Sequence, residues 1–242
     1  MDQTATGEPN NNSSTMEGIV GVPVEDKKQY ENNYNAHKAG ISHDEMVQVY
    51  TQWAGNYDKD LCPGRYNGPE IAARAMSSFY KDDDIRPTLK ILDVAAGTGR
   101  VGVELDKFGF KLFDALEPSP GMLEVLRKRG LYALTYETAI GHGIIAEIET
   151  NFYDALVIAG GMGEGHIPVK AVDEMIRIVK PGGMIFVIMR EEYLSYVPEY
   201  TGKLEPYMES LVDEGLWAKV QREVVANYSF NKNGVVFIYQ KI

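Results

Sequence analysis

The sequence predicts an α/β fold of three layers, with a mostly parallel seven-stranded sheet that ends in an antiparallel hairpin. Three observations predict it. From Leu89 onward, short apolar runs alternate with stretches of helical periodicity, the pattern of a parallel sheet covered by helices on both faces. The first of those runs leads into a glycine-rich stretch, Asp93-Val94-Ala95-Ala96-Gly97-Thr98-Gly99, at a strand-to-helix junction. Near Trp217 the alternation stops, and the chain is β-rich from there on.

The elements follow in order. Residues 1–18 are rich in Asn, Ser, Thr and Gly and read as a disordered tail; with no apolar core and no cluster of positive charge they do not form a signal peptide. Residues 19–88 read as an N-terminal helical region packed on a main domain over 89–242. Within that region Val20 to Gly40 is polar with scattered tyrosines and reads as mostly irregular. Ser42-His43-Asp44-Glu45 is a capping-box pattern that opens a helix carrying Met46, Val49, Tyr50 and Trp53. Gly55 and Asn56 are its predicted end. A second helix starts near Pro69, with Ile71, Ala72, Ala75, Met76 and Phe79 as its apolar stripe.

In the main domain, strands are predicted over 91–95, 111–116, 132–136, 153–159 and 184–189. Helices are predicted over 100–108, 120–128 and 169–179, with Gly130 closing the second. Residues 141–150 fit either a short helix or irregular chain. Lys180-Pro181-Gly182-Gly183 reads as a turn. A helix over 206–214 leads into the β-rich stretch 217–230, Asn233-Gly234 is a hairpin turn signal, and 235–240 is the last strand.

Composition narrows the function. A chain of 242 residues supports one large domain, and its 44% apolar content is that of a soluble globular protein. With 24 basic and 35 acidic residues the net charge is −11, which argues against a nucleic-acid partner and against an anionic membrane surface. No apolar run approaches the ~20 residues of a membrane span. The lone cysteine, Cys62, permits no intramolecular disulfide and suits a reducing compartment, so the expected location is cytoplasmic. His37, His43, His142 and His166 are dispersed in the sequence and share no ligand spacing with Cys62, so no metal site is expected.

The glycine loop points to an adenosine-containing cofactor. Glycines let the backbone turn sharply and approach a ligand, and the helix N-terminus behind them favours an anionic group. Glu117 closes the next strand, roughly 20 residues on, where an acidic side chain accepts hydrogen bonds from ribose hydroxyls. Gly97, Gly99 and Gly102 also satisfy the dinucleotide fingerprint. Against a nicotinamide cofactor stand the Asp93 carboxylate just before the glycines, the lack of chain for a separate substrate domain, and the C-terminal hairpin.

Four stretches in order resemble the motifs of class I S-adenosylmethionine-dependent methyltransferases: Ile91 to Gly99, Leu116 to Leu123, Tyr153 to Val157 and Val179 to Gly183. Tyr50 to Asp58 is similar to a segment upstream of that domain, and the combination is most similar to the Williams–Beuren-region methyltransferase-like proteins. The resemblance implies a Rossmann-like domain over 89–242 and S-adenosylmethionine as cofactor. By the same resemblance Asp93 orders the loop and the methionine amino group, and Ala95, Gly97, Thr98 and Gly99 supply loop contacts. Glu117 holds the ribose. Pro118, Met122 and the segment Thr138-Ala139-Ile140 face the adenine. Ala159, Gly160 and Gly161 lie near the methyl, and Tyr57 closes over the cofactor from a lid formed by the N-terminal helices. Two positions depart from the family: Ala95 stands where glycine is usual, and Glu117 where aspartate is common.

S-adenosylmethionine carries its own activation, so the protein mainly has to align an acceptor with the methyl group. His166, in a glycine-flanked loop after the fourth strand, is the candidate proton acceptor, with a surface histidine as the alternative. Arg190 and Tyr193 are candidates for substrate contact; a surface ion pair is the alternative for Arg190. Tyr50 and Trp53 read as core, in line with Met46. The expected function is methyl transfer to a small molecule, with a non-catalytic cofactor-binding protein and a nicotinamide-dependent oxidoreductase as alternatives.

Overall fold

The computed structural model describes residues 24–242, so the predicted tail over 1–18 lies outside the described residues. Three helices precede the sheet: α1 (Lys27–Asn35), α2 (His43–Asp60) and α3 (Gly68–Phe79). Then follow β1 (Lys90–Val94), α4 (Arg100–Lys107), β2 (Leu112–Leu116), α5 (Pro120–Arg127), β3 (Tyr132–Tyr136), β4 (Tyr153–Ala159), α6 (Ala171–Ile178) and β5 (Val179–Arg190). The chain continues through α7 (Tyr193–Tyr196), α8 (Leu204–Asp213), β6 (Trp217–Ser229) and β7 (Lys232–Lys241).

The sheet order is β3-β2-β1-β4-β5-β7-β6. Strands β1 to β5 are parallel, and β7 inserts antiparallel between β5 and β6. The strand order reverses between β1 and β4, which opens a crevice beyond their carboxyl ends. Alternation along each strand sorts the two faces. Leu92, Val94, Leu156, Ile158, Ile185 and Val187 pack with α6 and α8. Ile91, Val157, Phe186 and Ile188 pack with α3 and α4. Phe186 is fully buried among those residues; burying a side chain of that kind contributes roughly 2–3 kcal/mol.

Four predictions of local structure are corrected. Residues 27–35, read as irregular, form α1, because Tyr30 is buried edge-on against Phe230 at 5.2 Å. Helix α2, capped by Ser42 and Glu45 as predicted, does not stop at Gly55-Asn56 but runs to Asp60. A glycine in a helix costs roughly 1 kcal/mol. Here tertiary bonds from the last turn offset it: Asp60 accepts from Asn32 Nδ2 of α1 at 2.8 Å, and Asp58 accepts from Thr98 Oγ1 at 2.6 Å and from Arg129. Lys180-Pro181-Gly182-Gly183, read as a turn, lies within β5, and of the two readings of 141–150 the structure has turns and no helix. The hairpin turn lies at Phe230-Asn231, both with left-handed φ (48° and 61°), and Asn233-Gly234 belongs to β7. Gly234 is there for space: a Cβ would stand 2.8 Å from the Tyr228 ring.

Candidate active site

The crevice at the strand-order reversal is a cleft of about 610 Å³, counting its mouth. Val94, Ala95 and Gly97 form one wall, and Leu116, Glu117 and Pro118 from the end of β2 form the next, with Met122 of α5. Ala139 and Ile140 close the far end; Ala159, Gly160 and Gly161 line the side beyond β4. Helix α2 covers the mouth with His43, Met46, Tyr50 and Tyr57, and His166 and Ile167 complete the rim. Apolar walls with a few convergent polar groups are the usual make-up of a small-ligand site.

The loop after β1 is shaped by its backbone. Ala95 and Gly97 both take left-handed φ, 54° and 56°. Glycine adopts that conformation freely, whereas alanine does so at a cost of roughly 1–2 kcal/mol. The loop is tied by Ala96 N–H donating to Leu116 O at 3.2 Å and Gly99 N–H donating to Ala96 O at 2.8 Å.

Glu117 joins two loops. One carboxylate oxygen accepts from Gly97 N–H at 2.9 Å and the other from Ser119 N–H at 2.8 Å. A carboxylate has lone pairs beyond these two, and they remain for a ligand in the cleft. Burial pushes the Glu117 carboxyl up to about 7, against the downward pull of the two N–H donors.

Asp93 does not line the cleft. Strand alternation turns it to the α4 face, where Oδ2 accepts from Tyr132 Oη at 2.6 Å and Tyr132 Oη in turn accepts from Gly102 N–H at 2.9 Å. Asp93 is 1% exposed, and its Oδ1 has no partner. Burial raises its carboxyl to about 7, with the Tyr132 hydroxyl pulling it down. Three other predicted cofactor residues also stand off the wall. Thr98 is buried and bonded to Asp58, Gly99 packs against Tyr132, and Thr138 precedes the lining segment. Tyr57, Ala95, Gly97, Glu117, Pro118, Met122, Ala139, Ile140, Ala159, Gly160 and His166 all face the cleft.

The histidines, dispersed in the sequence, meet in pairs. His166 stacks on His37 at 4.4 Å, and His43 lies 4.6 Å from His142. His166 Nδ1 is 2.7 Å from the Glu164 carbonyl, so Nδ1 carries the proton and donates. Its Nε2 then accepts from Tyr50 Oη at 3.0 Å. Burial lowers the His166 pKa to about 4, so the ring is neutral near pH 7. Among the described residues no group of three or more His, Cys, Asp or Glu side chains is placed to hold a metal ion.

Tyr50 packs on the core beside Trp53, as expected, and also faces the cleft, which was not expected. His43, Met46, Tyr50 and Tyr57 stand at i, i+3, i+7 and i+14, one stripe of one helix. That stripe was visible in the sequence, but nothing local says whether it meets core or cavity. Trp53 is buried, as expected. Arg190 is 4% exposed at the end of β5, and its Nη1 pairs with the part-exposed Glu192 carboxylate at 3.2 Å, the carboxylate pairing that the sequence offered as the alternative.

The residues fit S-adenosylmethionine on two observations. Glu117 keeps acceptor capacity at the cleft wall, and the loop beside it is held in the left-handed turns that let backbone approach a ligand. A sequence profile for a methyltransferase domain matches residues 91–183. Methyltransferase-like protein 27 of Homo sapiens is 31% identical over 173 residues, 72% of this chain and 68% of that protein. A demethylmenaquinone methyltransferase of Corynebacterium efficiens is 34% identical over 144 residues, 60% of this chain and 57% of that enzyme. Among solved structures, a SAM-dependent methyltransferase of Leishmania major superposes with TM-score 0.60 at 16% identity, over 86% of this chain and 89% of that one. The Burkholderia thailandensis 1,6-didemethyltoxoflavin-N1-methyltransferase does so with TM-score 0.56 at 14% identity, over 84% and 91%. Profile, relatives, strand order and cleft agree, and the chain belongs to the class I S-adenosylmethionine-dependent methyltransferases, enzymes whose methyl donor is S-adenosylmethionine.

Proposed function

We propose that this enzyme methylates a small molecule, and that the cofactor lies in the cleft between the loop after β1, the end of β2 and helix α2. The observation that carries this reading is the cover: α2 lies over the mouth with four side chains, which leaves a compartment suited to a small acceptor. The net charge of −11 supports a small acceptor over a nucleic acid. Two similar proteins are named for small acceptors, demethylmenaquinone and 1,6-didemethyltoxoflavin. The acidity and the lone cysteine support a cytoplasmic location.

When bound, S-adenosylmethionine supplies a methyl group on a sulfonium; the acceptor's lone pair takes the methyl as the carbon–sulfur bond breaks, and the acceptor loses a proton. The chain's own residues bind and orient. Glu117 accepts from the ribose hydroxyls, Pro118, Met122, Ala139 and Ile140 enclose the adenine, and Ala159 and Gly160 border the methyl. Gly97 and Ala95 bring backbone to the methionine part; Asp93, Thr98, Gly99 and Thr138 hold that shape from behind. The acceptor's proton passes to Tyr50 Oη as Tyr50 hands its own to His166 Nε2. Burial keeps the His166 ring neutral with a lone pair on Nε2, and the same burial makes it a weak base at pH 7, so it carries the proton only transiently.

The test is transfer of labelled methyl from S-adenosylmethionine into a cell extract divided by molecular size. Label is expected in the low-mass fraction; label confined to protein or RNA would overturn the small-molecule reading. We also read residues 24–88 as a lid on the domain over 89–242. Cofactor addition is therefore expected to slow amide hydrogen exchange over Tyr50 to Asp58. Unchanged exchange there would remove the lid.

A further inference from the structure

Three elements meet at the glycine loop: the end of α2, the loop itself, and the turn after α5. Thr98 Oγ1 donates to Asp58 Oδ1, in the last turn of α2, at 2.6 Å. Arg129 donates through Nη2 to Asp58 Oδ2 and through Nε to the Thr98 carbonyl. Thr98 is therefore gripped at its hydroxyl and at its carbonyl. None of the three side chains lines the cleft. Resting on the cofactor placement above, we propose that Asp58 is a positioning residue for S-adenosylmethionine: through Thr98 and Arg129 it locks the glycine loop in its binding shape.

The backbone shows why the loop needs a lock. Ala95, Gly97 and Gly99 take left-handed φ of 54°, 56° and 83°. A loop with three such residues, one of them alanine, keeps its shape only when the contacts around it over-determine it. At the cleft wall Glu117 holds Gly97 N–H at 2.9 Å. Thr98, the next residue, is 1% exposed, and Asp58 is the partner of its hydroxyl. Tyr57, which lines the cleft, directly precedes Asp58, so a single turn of α2 both meets the cofactor and sets the loop.

The competing role for Asp58 is to fasten the end of α2. That end is fastened without it: Asp60 accepts from Asn32 of α1, and the Leu61 carbonyl accepts from Arg100 of α4. A carboxylate in the last turn of a helix also opposes the helix dipole. Asp58 is thus unfavourable within its own helix, and a residue that breaks a local rule marks a position set by the site around it.

The experiment titrates S-adenosylhomocysteine calorimetrically into the wild type, Asp58→Ala, Thr98→Val, Thr98→Ser and the double variant Asp58→Ala/Thr98→Val, with a melting curve for each. Loss of this charge-assisted hydrogen bond is expected to weaken binding about tenfold in Asp58→Ala and roughly fivefold in Thr98→Val. Thr98→Ser keeps the hydroxyl and should stay within about twofold of the wild type. Because both changes remove one interaction, the double variant should bind no weaker than Asp58→Ala by more than about twofold. Wild-type affinity in Asp58→Ala, with or without a lowered melting temperature, overturns the proposal. So do losses that multiply in the double variant, or a Thr98→Ser that loses as much as Thr98→Val. Should Asp58→Ala not fold, Thr98→Val against Thr98→Ser decides. Wild-type protein that does not bind S-adenosylhomocysteine overturns the cofactor placement, and this proposal with it; wild-type binding that the variants leave unchanged overturns this proposal alone.

Discussion

Replacing Glu117 by glutamine is expected to weaken S-adenosylmethionine binding roughly 10- to 100-fold, measured by calorimetric titration. The carboxylate holds Gly97 N–H and Ser119 N–H and offers its remaining lone pairs to the ribose. An amide has one oxygen, so one of the two backbone donors faces an NH₂ group instead. Losing a charge-assisted hydrogen bond in a buried site costs about 1.5–3 kcal/mol, and each 1.4 kcal/mol is tenfold in affinity. Unchanged affinity in Glu117→Gln would remove the carboxylate from the ribose.

The same group sets a pH dependence with two opposite signs. Burial puts both Glu117 and Asp93 at about 7. Below that pH Glu117 is protonated and a poorer acceptor, so cofactor affinity should fall between pH 8 and pH 6. Stability of the free protein should move the other way. With folded pKa values above the unfolded ones, the folded state binds more protons between about pH 4.5 and 7. These two carboxyls therefore destabilise the fold when ionised, and the melting temperature without cofactor should rise on acidification from pH 8 to 6. Glu117→Gln should flatten both curves. Affinity that rises on acidification would contradict the assignment.

Gly121→Ala is expected to destabilise the protein by roughly 1–3 kcal/mol and to weaken cofactor binding about tenfold. Gly121 sits in the first turn of α5, where a Cβ would stand 2.5 Å from the Thr51 carbonyl oxygen and 2.9 Å from Thr51 Cα on α2. Those are backbone atoms, which no rotamer change removes, so the two helices must part. Parting them strains the bond between Ser119 Oγ and Thr51 Oγ1, 2.9 Å long, and lifts Tyr50 and Tyr57 from the cleft. Thermal melting and the dissociation rate of S-adenosylhomocysteine check this. A lowered melting temperature with an unchanged dissociation rate would mean that α2 packs on α5 without holding the ligand.

Much of the site was legible because its signals are local. The glycine loop, Glu117 at the end of the next strand, and Ala159-Gly160 after the fourth are short stretches whose place at strand ends follows from periodicity, and the structure brings them to one cleft. Asp93 shows where that reasoning stops. Its place at the end of β1 was clear, but the face it turns to depends on Tyr132, 39 residues away, and on which helix covers that side. The loop histidine was found as a candidate; the neutral state that burial imposes on it was not.

The sequence by itself determined the element order over 89–190, the capping box of α2, the parallel run ending in a hairpin, and the carboxyl-end position of the ligand loop. Each of these rests on spacing within a few residues, where backbone geometry leaves few choices. Only the tertiary structure decided that α2 continues past Gly55, that Gly234 makes room for Tyr228 and not for a turn, that Tyr50 faces a cavity, and that Arg190 is buried beside it. Apart from the Gly234–Tyr228 contact across the hairpin, those outcomes depend on atoms far apart in the chain, whose packing and burial cost outweigh local preference by about a kilocalorie or more.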